Sequence, residues 1–307
     1  MKQMSKISVG IPRALLYYEF FPVWKAFLEE LGLNVIVSGN TTDRVVRRGI
    51  GSTGGDLCLP VKTFLGHVHE IKDSVDFLFI PRYISIEEDA YMCPKFLGLP
   101  DMVRAAISPL PPVIDSPMNI KKGGLKEFFD SISNVLRKDK RVIESAYSKA
   151  LSSAGAITYN DSSSSGDLKI ALLGRPYVLY DSCINRSIIQ RLKSLGADVK
   201  IKTMFSQEEI KKAMSLLPKV LYWSTGKEVV TSAYHFMKKS VVDGIINLVS
   251  VACGPDSFTS EIINGLKKKM DDIPYMVLYL DEHTSDVGVL TRIEGFLDMI
   301  RRKRGEA

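Results

Sequence analysis

Four cysteines, Cys58, Cys93, Cys183 and Cys253, are the soft ligands and sulfur nucleophiles of this 307-residue chain. Three of them stand beside Pro or Gly, in Cys58-Leu59-Pro60, Cys93-Pro94 and Cys253-Gly254-Pro255. A thiol so placed is a small buried hydrophobe, a nucleophile, half of a disulfide or a metal ligand. A cluster ligand needs an outward thiolate with free backbone N–H groups beside it, because those groups donate to sulfide. A helix N-terminus adds positive potential and is expected to lower the thiol pKa. The wide spacing matches neither a zinc ribbon nor a ferredoxin-like run. Spacing alone therefore leaves shared metal ligation and unrelated packing both open.

Other residues that can do chemistry stand near strand ends or helix starts. His67 and His69 follow Cys58 on a helix-like stretch. His67 is read either as a donor to a cluster or substrate or as a partly exposed helix histidine. His283 and Glu282 follow "MVLYLD" and could form a proton-transfer pair. Lys62, Arg82 and Lys95 flank the cysteines. They could offset cluster charge or bind a CoA phosphate, and surface ion pairing is the plain alternative. Arg13 and Arg175 begin equivalent loops and could hold anions at helix N-termini. Asp256 and Ser257 are read as caps of the helix "FTSEIING". The aromatic run "YYEFFPVW" is read as core packing.

These residues need elements to hold them. "ISVGIPR", "NVIVSG" and "DFLFIPR" read as strands, with a further strand in "PPVID". Helical patterns separate them, including "TTDRVVRRGI" with Thr42 or Asp43 as its cap and a short "DMVRAAI". "GLKEFFDSISNVLRKDKRVIESAYSKAL" reads as one long polar helix, and Ser152 to Asp167 as a flexible linker. The pattern then restarts with the strand "KIALLG", a helix opened by Cys183, and the strands "DVKIKT", "GIINLVSVA" and "PYMVLYL". Strands alternating with helices imply parallel sheets with crossover helices. The expected fold class is α/β. It has two doubly wound, Rossmann-like (flavodoxin-like) lobes with mostly parallel sheets and a cleft between them. The expected divisions are 1–125 for the first lobe, 126–167 for a helix plus linker, and 168–307 for the second lobe. In such sheets, ligands bind beyond the carboxyl ends of the strands, where all four cysteines are expected.

Composition excludes several classes. With 45% hydrophobic and 25% charged residues the chain is globular, and no long charge-free apolar run suggests a membrane span. The N-terminus reads as a strand rather than a signal peptide, so a cytoplasmic protein with reduced thiols is expected. The net charge of +6 comes largely with "KKK" and "RRKR" near helix ends, where cations suit the helix dipole. Nucleic acid is not an expected partner.

The blocks "GIPRALLYYEFFPVW", "DLCLPVKTFLGHV", "FIPRY", "CPKFLGLPDMVR", "CGPDSFTSE" and "YLDEHTSDVGVLTRIEGFLD" carry a resemblance across nearly the whole chain. Together they resemble the acyl-CoA dehydratase activase-related proteins of the wider 2-hydroxyacyl-CoA dehydratase and double-cubane superfamily. The resemblance implies two lobes holding a [4Fe–4S] cluster, with Cys58, Cys93 and Cys253 matching the three ligands. Cys183 departs from that pattern and is either a fourth ligand or a helix-start residue. An [8Fe–9S] double cubane would need more cysteines than the chain offers. The resemblance also implies a separate ATP-dependent activator, an ASKHA-type ATPase acting in trans, because the chain shows no Gly-x-x-x-x-Gly-Lys-Ser/Thr loop and no Gly-x-Gly-x-x-Gly fingerprint. The chain would accept low-potential electrons and reduce or dehydrate a small-molecule or acyl-CoA substrate. A dimer is implied on the same ground. The alternative is a non-catalytic two-lobed binding or scaffold protein for a CoA ester or anion.

Overall fold

A computed structural model describes residues 6–54, 56–122, 124–155, 166–239, 241–270 and 273–305. Two compact units emerge: Met1–Gly55 with Val61–Thr158, and Asp56–Pro60 with Tyr159–Ala307.

The first unit begins with β1 (Ser8–Ile11), α1 (Tyr17–Glu30), β2 (Asn34–Val37) and α2 (Asp43–Gly51). It continues through α3 (Leu59–Ile71), whose first two residues group with the second unit. Then come β3 (Phe77–Phe79), β4 (Arg82–Ser85), α4 (Pro94–Ala106), β5 (Val113–Ile114), β6 (Pro117–Asn119), α5 (Lys126–Leu136) and α6 (Lys140–Ser153). Its sheet runs β2-β1-β3-β5, with every pairing parallel, and β4 and β6 form a separate parallel pair. Trp24 anchors the core: its ring meets Phe79, Phe128 and Tyr147, and its Nε1 donates to Tyr83 Oη at 2.7 Å. The run "YYEFFPVW" thus contributes to the core, as its composition suggests.

Two local readings change. "CPKFLGLP" and "DMVRAAI" are one helix, α4, with Pro94 in its first turn and Pro100 inside it. The long polar stretch is two helices, because Arg137 takes a left-handed φ of 50° and Asp139 then caps α6. Of the proposed linker, residues 156–165 lie outside the described residues. The cap of α2 is Thr42, whose hydroxyl accepts from the Val45 N–H.

The described second unit carries β7 (Leu168–Leu173), α7 (Pro176–Leu179), α8 (Ile188–Ser194), β8 (Ala197–Lys200), α9 (Gln207–Met214), α10 (Ser224–Lys239), β9 (Gly244–Ser250), α11 (Gly254–Lys267), β10 (Tyr275–Leu280) and α12 (Asp286–Lys303). Its parallel sheet runs β8-β7-β9-β10. Counted along the chain, each unit orders its four sheet strands second, first, third, fourth. The restart seen in the sequence is therefore a repeated topology. β9 is buried at every position, as a central parallel strand covered on both faces must be. Among the described residues, no helix is long and apolar enough to cross a membrane.

Candidate functional site

In the second unit the strand order reverses between β7 and β9, which places the ligand-binding crevice beyond their carboxyl ends. Gly174 and Arg175 leave β7 there, and Val251, Ala252 and Cys253 leave β9. Ala252 takes a φ of 60°, a left-handed turn that swings the chain so that Cys253 becomes the N-cap of α11. The helix starts at Gly254, earlier than the sequence suggested, so Asp256 lies inside its first turn rather than at its cap. Asp256 instead forms a buried ion pair with Arg175 and accepts the Ser250 N–H at 3.3 Å. The Ser257 hydroxyl donates back to the Cys253 carbonyl at 3.1 Å.

Cys58, in the loop before α3, belongs to this unit; like Cys253 it is buried and forms no disulfide. Burial pushes the Cys253 thiol up to about 12, Asp256 and Cys58 reinforce that rise, and Arg175 opposes it. This corrects the expectation of an acidified thiol at a helix N-terminus: desolvation outweighs the dipole. Cys253 is a protonated thiol at neutral pH and a poor free nucleophile. Tyr177, also fully buried, has its phenol pushed upward by burial, with Arg175 pulling the other way. Burial works against the charge of Arg175, Asp256 restores it, and the net shift is upward. Only its Nε meets Asp256; Nη1 and Nη2 have no hydrogen-bond partner among the described residues.

The other cysteines are placed differently. Cys93 belongs to the first unit and is the half-buried N-cap of α4. Cys183 opens no helix. It lies in a run of turns between α7 and α8, where its N–H donates to Asp181 Oδ1 at 3.0 Å. Among the described residues, no three Cys, His, Asp or Glu side chains form a metal-ion site.

Lys62 is buried in the first turn of α3, and Lys95 is half-buried in the first turn of α4. Arg82 is not available for an anion. Its guanidinium is held by Asp101 and by Asp115, the latter at 2.7 Å, and Arg104 shares both carboxylates. His283 is exposed, and its backbone N–H donates to Asp281 Oδ1 at 2.9 Å within the turn that precedes α12. Glu282 is half-buried in that same turn.

His67 is fully buried, not the partly exposed helix histidine of the sequence reading. Its Nε2 shares a hydrogen bond with Thr41 Oγ1 at 2.9 Å, while Nδ1 has no partner among the described residues. Burial first, and then the Arg13 charge, push its pKa down from 6.5 to about 4. The unfolded chain therefore binds a proton between pH 6.5 and 4 that the folded chain refuses. This contribution to stability is complete above pH 6.5 and is lost as pH falls towards 4, by about 3 kcal/mol in total. Urea unfolding at pH 7 and pH 4.5 checks it: the wild type should lose more stability on acidification than His67→Gln, and equal losses would refute it.

The sequence missed the pairing of Arg175 with Asp256. Their only signal was that each flanks a strand end, and one sequence does not say which charges meet across 81 positions.

No curated protein matches the chain. Among solved structures, it is similar to the crystal structure of the lactose repressor bound to the anti-inducer ONPF in the induced state. The identity is 11%, over 90% of this chain and 97% of that one, with a TM-score of 0.26, too low to carry an argument. A family model described as the CoA enzyme activase uncharacterised domain (DUF2229) matches residues 8–205. That match covers more than half of the chain, which therefore belongs to the CoA enzyme activase uncharacterised domain family.

Proposed function

We propose that the chain is an iron–sulfur protein that receives electrons from a separate ATP-dependent activator and passes them to an acyl-CoA or small-molecule substrate. The observation that carries this reading is the pair Cys58 and Cys253, two neighbouring buried thiols in no disulfide, with Cys253 beside a buried arginine at the carboxyl end of β9. A thiol held near pKa 12 serves poorly as a nucleophile, whereas metal binding deprotonates a coordinating thiol outright. The donor set is soft and suits iron–sulfur ligation. Cys93 supplies the third thiolate in this reading, by the family resemblance.

A [4Fe–4S] cluster held by three thiolates would store a low-potential electron and leave one iron open to a substrate oxygen. The chain's own residues have definite tasks around it. Cys58 and Cys253 give up their protons. Arg175, fixed through Nε by Asp256, holds a positive charge that offsets the thiolates and points unpartnered Nη groups into the same buried region. α11 directs its N-terminal dipole at Cys253.

Anaerobic purification should yield brown protein with about four irons per chain. Cys58→Ser, Cys93→Ser and Cys253→Ser should each lose most of that iron. Retention in Cys183→Ser excludes Cys183 as a fourth ligand, and loss assigns it. A colourless, iron-free anaerobic sample overturns the reading.

A further inference from the structure

Arg13 and Arg175 occupy equivalent places, each just after the first strand of a sheet with the same strand order. Their surroundings differ. Arg175 has its charge matched by Asp256. Arg13 forms no ion pair among the described residues; its guanidinium lies 5.6 Å from the centre of the Tyr17 ring. It is half-buried and so reachable from solvent.

Four elements bring polar groups to this place. The Arg13 N–H donates to Ser38 Oγ at 2.8 Å, which ties the end of β1 to the end of β2. Thr41 follows β2 and meets His67 Nε2. α2, nine residues long and capped by Thr42, begins immediately after Thr41 and presents its N-terminus there. Thr63 stands one turn before His67 on the same face of α3. Both residues are fully buried, and Thr63 Oγ1 and His67 Nδ1 have no partner among the described residues. Unpaired buried donors are rare because each costs about 1–3 kcal/mol. Helical side chains lean towards the N-terminus, so the His67 ring lies over the turn that carries Thr63.

We propose that Arg13, Thr63 and His67, with the N-terminus of α2, form an oxyanion-binding site for a phosphate group in the first unit. The guanidinium supplies the charge, and the helix N-terminus adds positive potential. Thr63 and His67 supply the two unmatched donors. The imidazole is neutral at physiological pH, so it carries one N–H. A bound anion selects the tautomer in which the Thr41 hydroxyl donates to Nε2 and Nδ1–H faces the ligand. This inference does not rest on the cluster, since none of these residues is a cysteine.

Calorimetry in phosphate-free buffer tests it, with inorganic phosphate and coenzyme A as the two probes. At least one should bind at millimolar concentration or below. Binding of both assigns the site to phosphate in general, and binding of coenzyme A alone assigns it to an esterified phosphate. Arg13→Gln should weaken binding at least about tenfold, the weight of a charge-assisted hydrogen bond. Thr63→Val keeps the side-chain shape and should weaken it severalfold. No heat with either probe, or unchanged affinity in both variants, overturns the assignment. Iron content measured on the same samples reports separately on the cluster.

Discussion

Replacing Asp256 with Ala is expected to cost about 3–5 kcal/mol of folding stability, because it leaves the Arg175 guanidinium buried without its counter-charge. The side chains of Arg175 and Asp256 are 3% and 7% exposed, so solvent cannot take over the role of the lost partner. Two further contacts would suffer. Asp256 also accepts the Ser250 N–H, which would lose its acceptor at the end of β9. The first turn of α11 would lose its acidic residue. Removing both charges together is a different experiment. Arg175→Met with Asp256→Leu replaces a desolvated pair by apolar side chains of similar length and should recover most of the loss. Urea unfolding of the metal-free protein measures both variants without a contribution from iron. A double variant as unstable as the single one would show that the pair is worth more than its desolvation cost. Iron content is then informative: if Arg175 serves the cysteines, the double variant should fold well but hold iron weakly.

Gly66→Ala should destabilise the first unit by about 1–3 kcal/mol, the range for overpacking a tight contact. A methyl group there would overlap the Val45 carbonyl, and one at Gly49 would overlap the Lys62 carbonyl. The two glycines thus let α2 and α3 cross backbone to backbone. Alanine favours a helix over glycine by up to about 1 kcal/mol, but the clash is with main-chain atoms that cannot rotate away. Gly98, inside α4, is the control. Nothing lies within 4 Å of its added Cβ, so Gly98→Ala should stabilise by about 0.5–1 kcal/mol. Thermal unfolding of the two variants should show opposite signs for Gly66→Ala and Gly98→Ala. The crossing also sets Thr41 against His67, so Gly66→Ala should weaken phosphate binding as well.

Much of this architecture was legible in the amino acids. "KIALL" and "GIINLVS" are apolar runs that only a doubly covered parallel strand explains, and they are β7 and β9. Thr42 and Asp43 both marked the start of α2, and the structure gives the cap to the Thr42 hydroxyl. Cys253 was legible at the junction of β9 and the following helix, although Pro94 and Pro255 did not disclose the first turns of α4 and α11, which both begin earlier than the periodicity suggested. These features depend on periodicity and on chemistry within a few positions, so a single chain displays them. The split between α5 and α6 was not legible, because Arg137 gives no hint of a left-handed turn.

From the amino acids alone came the α/β class, the strand end that carries Cys253, and the pair of equivalent arginines. What those groups are chemically follows from the folded structure. It gave Arg175 a carboxylate partner 81 positions away and gave Arg13 none among the described residues. It buried His67 until its ring lost the proton, and it desolvated Cys253 until its thiol kept one. The reason is physical: charge state and pairing follow from desolvation and from neighbours distant in the chain, whereas the local pattern encodes only which face of each element turns inward.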